Sequence, residues 1–106
     1  MASGKLGTAN LPAGGAGTLL YTVPASTVST VNVRFANRNS AAAKIRLAIG
    51  VGASPAVTDY LSYDQSLPAN GIIEDTGIVC SAGEKVWAIS DTANVSVRVH
   101  GFEETA

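Results

Sequence analysis

Apolar side chains fall at every second position in three runs of this 106-residue chain: Val31, Val33 and Phe35; Ile45, Leu47 and Ile49; and Val95, Val97 and Val99. A period of two collects alternate side chains on one face of a strand, so each run predicts half-buried β-structure. The pattern extends the first two runs to strands over residues 28–38 and 43–51 and predicts others over 18–23 and 59–67, where a helical reading is weak but possible. Shorter pieces follow at Ile72–Ile73, Ile78–Cys80, Val86–Ile89 and Val95–Gly101. Pro24, the 37–40 segment, the Gly50–Pro55 stretch, the 68–71 Pro-Ala-Asn-Gly sequence and the 81–84 Ser-Ala-Gly-Glu sequence supply the punctuation between them.

No stretch sustains helical periodicity for the ~10 residues a helix needs, and turn signals recur at strand-length spacing. The expected fold is therefore all-β: a single antiparallel β-sandwich, immunoglobulin-like or jelly-roll-like, with a small barrel as the alternative. Strands 18–23 and 28–38 are expected to form an antiparallel pair, and Ile78–Cys80 is expected to form a hairpin with Val86–Ile89. The small, polar 2–11 segment carries Leu6 and Leu11 as isolated anchors ahead of a glycine-rich break at 13–17. Residues 1–17 thus read as an N-terminal arm or edge strand, and 18–106 as the sandwich domain. The acidic pair Glu103–Glu104 is expected to lie exposed beyond the last strand.

Composition narrows the function. Hydrophobic residues make up 46% of the chain but are dispersed, whereas a membrane helix needs about 20 mostly apolar residues in succession. Lys5 is followed by Gly, Thr, Asn and Pro instead of an apolar run, so no secretory signal is expected, and synthesis in a cytoplasm is. Seven basic and eight acidic residues give a net charge of −1, which offers little of the counterion release that drives nucleic-acid binding. A membrane or nucleic-acid partner is not expected.

Candidate chemistry is sparse. Cys80 is the one cysteine, which excludes an intrachain disulfide, and its Ile78-Val79-Cys80 setting predicts a buried, inert thiol. His100 is the one histidine, placed by alternation on the face opposite Val95, Val97 and Val99. Glu74 and Asp75 are strand neighbours that point to opposite faces, which suits charge display better than acid–base catalysis. Asp59 and Asp64 lack the dense oxygen-ligand loop of a calcium site. Neither a nucleophile elbow nor a phosphate-binding loop follows the glycines. Asn94-Val95-Ser96 fits a glycosylation acceptor, a match without consequence in a cytoplasmic chain. No enzyme, metal or cofactor is expected.

Trp87, Tyr60 and Tyr63 suit packing or a subunit interface, with a sugar-binding platform as the competing use of the same rings. Together with Leu6 and Leu11 they form the expected oligomer or partner interface.

Five segments resemble small β-structured virion proteins of tailed bacteriophages, including those of cyanobacterial phages: MASGKLGTANL, YTVPASTVSTVNVRFANRNS, AKIRLAIG, SLPANGIIEDTGIVCSAGEKVWAIS and VSVRVHGFEE. The likeness runs over nearly the whole chain. It implies a virion structural protein, foremost a capsid decoration, or cement, protein on the outer capsid surface in contact with the major capsid protein or another virion protein. A tail, neck or fibre-adaptor protein is the alternative within the virion, and a virion carbohydrate-binding module is the alternative outside a purely structural role. A closed homo-oligomer, a trimer foremost, suits the local threefold positions of a capsid lattice.

Overall fold

A computed structural model describes residues 2–15 and 17–106. Among the described residues eight strands form: β1 (Ser3–Leu11), β2 (Thr18–Thr22), β3 (Thr27–Asn37), β4 (Ala43–Gly50), β5 (Tyr60–Leu67), β6 (Ile72–Cys80), β7 (Lys85–Ser90) and β8 (Val95–Thr105), with a 3₁₀ turn at Val57–Asp59 before β5. They make two packed four-stranded antiparallel sheets, ordered β1-β8-β3-β6 and β2-β7-β4-β5. The all-β, two-sheet expectation is what the chain adopts. The region least clear from its pattern, 59–67, is a strand after one short 3₁₀ turn.

The three alternating runs meet in the middle. Val31, Val33 and Phe35 of β3 and Val95, Val97 and Val99 of β8 project from the first sheet onto Ile45 and Leu47 of β4 and Val86 and Ala88 of β7, all essentially removed from solvent. Burial of these matched apolar faces is the main stabilising term of such a sandwich.

The pairing within the sheets departs from the expectation at two places. β2 and β3 lie in different sheets and do not pair, and the same holds for β6 and β7. Of the successive strands only β4 and β5 are neighbours in a sheet; every other connection crosses from one sheet to the other. At one end the two crossings hold each other: the Val23 amide donates to the Glu84 carbonyl (2.9 Å) and the Gly83 amide to the Val23 carbonyl (3.0 Å). Pro24 and the left-handed Ser26 (φ 56°) turn the first of these corners out of the sheet.

Two further boundaries differ. β6 is one continuous strand through Glu74–Gly77, and β8 runs past Gly101 to Thr105. Glu103 is consequently no free tail: its carboxylate accepts hydrogen bonds from the Tyr21 hydroxyl and from the Ala2 amide (3.0 Å). The same Tyr21 oxygen lies 2.7 Å from Ser29 Oγ, so one side chain of the second sheet is tied to two strands of the first.

Both central pairs, β3 with β8 and β4 with β7, keep an unbroken register. All four outer strands carry extra residues: one on β1 between Lys5 and Gly7, one on β2 between Leu19 and Tyr21, one on β6 opposite Val31–Val33, and two on β5 opposite Ile45–Ala48. Bulges twist an edge and interrupt its row of free backbone groups, which opposes sheet extension by another chain. They also turn Leu6 and Leu20 inward against the core. Beside its bulge, β1 passes so close to β2 that a Cβ on Gly7 would stand 2.1 Å from the Leu20 carbonyl oxygen, so only glycine permits this approach.

Candidate functional site

The structure separates the five expected interface residues. Leu11 is 1% exposed and belongs to the core, and Leu6 packs against that core from the β1 bulge. Trp87, Tyr60 and Tyr63 all project from the outward face of the second sheet, because Val86, Ala88 and Ser90 take the inward positions of β7 and Ile45 and Leu47 those of β4.

Register aligns Leu19, Trp87, Ala48 and Tyr60 in one row across all four strands of that sheet. Within the row Trp87 is only 4% exposed although it faces outward. The segment leading into β2 covers it: a Cβ on Gly17 would lie 3.5 Å from both Cβ and Cδ1 of Trp87. Leu19 at the β2 end of the row is half exposed.

Beyond the row, Tyr60 and Tyr63 meet edge to face with centroids 5.0 Å apart and planes at 87°. The Arg46 guanidinium sits 3.9 Å from the Tyr63 ring centroid while its Nε and Nη2 donate to the two Asp64 carboxylate oxygens at 2.7 and 3.2 Å. That fork raises the Arg46 pKa and lowers that of Asp64, the hydrogen bond being the chief cause in both. Asp64 reaches this position from a left-handed backbone (φ 55°) in the bulged part of β5. A hollow of about 520 Å³ lies beside the pair, lined by Pro55, Val57, Tyr60 and Tyr63. Val57 is 91% exposed and Tyr63 59%, so an apolar rim surrounds an oriented aromatic pair.

The three aromatic rings do not form a common flat platform. Trp87 is covered, and the two tyrosines are perpendicular. What they offer is a shaped apolar surface with one fixed ion pair, which suits contact with another protein surface better than stacking on a sugar ring.

The remaining candidates have local partners. Asp59 accepts from the Ala56 amide (2.8 Å) and closes the 3₁₀ turn against Gly50, where a Cβ would come within 2.2 Å of the carboxylate. It therefore does not join Asp64, and among the described residues no three metal-ligating side chains come together. Glu74 faces outward and lies 4.0 Å from Arg34 and 3.7 Å from His100. Asp75 turns to the other side, with Ser62 Oγ 3.5 Å away. Cys80 is fully buried, and burial pushes its pKa up to about 11, which keeps the thiol protonated and unreactive at neutral pH. In the glycine-rich break the Gly14 amide donates to the Ser90 carbonyl (2.7 Å); Ala16 lies outside the described residues. Asn94 occupies the turn before β8 in a left-handed conformation (φ 65°).

Sequence reasoning missed Leu19, Val57 and Arg46 as members of the aromatic face. Alternation places Arg46 on the outward side of β4, but only the register with β5 sets it over Tyr63, and nothing local marks Val57 as exposed.

Models of protein families give no match to this chain, and neither do curated protein sequences.

Proposed function

We propose that the protein is a virion structural component, a decoration protein that clamps the outer surface of an assembled capsid, and that its two sheets form a jelly roll. The strand order supports the fold reading: β1 pairs with β8, β2 with β7, β3 with β6 and β4 with β5, as when one long hairpin is rolled into two sheets. Jelly rolls of eight strands recur in viral capsid proteins, and also in lectins and cupins, so the fold alone does not decide the function.

The observation that carries the functional reading is the outward face of the second sheet, where Val57 and Tyr63 expose apolar surface beside an oriented Tyr60–Tyr63 pair and Leu19 adds a half-exposed side chain at the opposite edge. Exposed apolar patches on a small rigid domain mark contact surfaces. A homo-oligomer, a trimer in this reading, buries that face between copies. It thereby presents several identical partner-binding surfaces, and weak contacts to neighbouring capsomers become intramolecular events at high effective concentration.

Quantitative mass spectrometry and immuno-electron microscopy of particles purified from cells infected with the encoding virus test the proposal. The expected result is many copies per particle, labelled over the capsid shell. Label confined to the tail would replace the cement role with the tail reading, and absence of the chain from purified particles would overturn a virion role altogether.

A further inference from the structure

The outward face of the first sheet carries a row of different chemistry. Register sets Thr8, Arg98, Arg34 and Glu74 side by side across β1, β8, β3 and β6. Arg34 and Arg98 are direct cross-strand partners, which brings two guanidinium-bearing side chains onto neighbouring positions about 5 Å apart at their stems. Like charges directly opposite each other in a sheet are destabilising, so folding alone gives no reason for the pair.

Compensation is slight. Glu74 is the carboxylate in the row, it stands 4.0 Å from Arg34, and it is shared with His100 at 3.7 Å. Arg98 has no ion-pair partner among the described residues, and Lys5 pairs in register with His100 on the same face, adding to the positive charge. The two arginines border a shallow depression of about 430 Å³ with Thr8, Asn10 and Ser96 as polar wall and Ala36 as apolar floor. In a chain of net charge −1 this is a local concentration of positive charge over a largely apolar floor, with Arg38 donating to the Asn10 side-chain oxygen at its edge.

We propose that this depression is a docking site for an acidic segment of a partner protein, with Arg34 and Arg98 together gripping its carboxylates. Charge complementarity identifies the occupant. Paired guanidiniums match carboxylates in fork geometry, and Ser96, Thr8 and Asn10 add donors at the rim. The positive charge comes from Arg34 and Arg98, with Arg38 held at Asn10 and Lys5 in a neighbouring row, and it stops at Glu74 in a chain of net charge −1, which is less than the extended basic track that follows a nucleic-acid backbone. Such a site acts in the same way whether or not the protein belongs to a virion.

The test is a nuclear magnetic resonance titration of the full chain with a hexaglutamate peptide at low ionic strength, alongside a single-stranded oligonucleotide of equal charge. Saturable shifts centred on Thr8, Arg34, Ser96 and Arg98, weakening with added salt, are expected with the peptide. Arg98→Gln should weaken binding by roughly tenfold, and Lys85→Gln, on the other sheet, should leave it unchanged. Arg98→Glu supplies the control against misfolding: it should abolish peptide binding while raising Tm by roughly 2–4 °C, because the repulsive pair with Arg34 becomes attractive. Peptide shifts that are absent or centred on another face would overturn the proposal. Tighter binding of the oligonucleotide would overturn it in favour of a nucleic-acid partner, and a fall in Tm for Arg98→Glu would show the arginine pair to be structural.

Discussion

Two rows of side chains cross the two outward faces of this sandwich, and they are built from opposite chemistry on the same scaffold. On the second sheet Leu19, Trp87, Ala48 and Tyr60 form an apolar row whose centre is buried; on the first, Thr8, Arg98, Arg34 and Glu74 form a polar row with two adjacent positive charges. The inward faces, by contrast, are alike, with valine, leucine and isoleucine on both and Phe35 added on the first. Inward chemistry is dictated by the need to bury both sheets against each other, so it says little about function. The outward faces are free of that constraint, although the first also exposes Ile72, Val79 and Phe102; in the readings proposed above, the aromatic face contacts copies of the chain and the arginine row an acidic partner.

The largest expected effect separates fold from surface within the apolar row itself. Trp87→Ala removes a side chain that is 4% exposed and should cost about 3–5 kcal/mol, measured by denaturant unfolding. A loss below about 1 kcal/mol would show that the ring is dispensable to the sheet and would return it to the list of free binding groups.

A smaller effect is expected where the two sheets are tied together. Tyr21→Phe removes the hydroxyl shared by Ser29 and Glu103 and should cost about 1 kcal/mol. Burial, reinforced by the Glu103 hydrogen bond, pushes the Tyr21 pKa from 10.0 to about 12. A raised pKa means the folded state favours the protonated phenol. Its contribution is therefore complete below about pH 10 and is lost as pH rises through about 12. Glu103 shifts the other way: the hydrogen bonds from Tyr21 and Ala2 hold its carboxyl below the usual range, so its contribution is present above that range and disappears as pH falls through the lowered value. Stability of the Tyr21→Phe variant measured against pH should lack the alkaline step. Persistence of the same step would assign it to another group.

The smallest effect on stability belongs to the exposed rim. Val57→Asp alters a side chain that is 91% exposed and should change unfolding free energy by no more than about 0.5 kcal/mol, which makes it a clean probe of association.

The comparison between faces also marks what local sequence can convey. Alternation identified β3, β4 and β8 and their inward faces, because side-chain direction in a strand depends only on residue parity. Partnership was not legible: β2 and β3 are separated by a short turn, yet the chain passes between sheets there, and a period of two is the same in either sheet. Leu6 and Leu11 illustrate a second limit. Five positions apart, they would lie on opposite faces of a regular strand; the extra residue in β1 brings both to the core side. Bulges on the outer strands thus erase parity where it would have been needed, and the same irregularity in β5 brings Tyr63 and Asp64 to Arg46. The Arg34–Arg98 pair escaped notice for a related reason: the residues are 64 positions apart in a chain of balanced charge, and only cross-strand register makes them neighbours.

Sedimentation equilibrium at micromolar concentration of the unmodified chain, Val57→Asp and Arg34→Glu tests most directly whether the two outward faces have different roles. The expected result is an oligomer for the unmodified chain and for Arg34→Glu, and a monomer for a folded Val57→Asp. A monomer for the unmodified chain, or an oligomer that survives Val57→Asp and dissociates with Arg34→Glu, would contradict the assignment of the apolar face to self-contact.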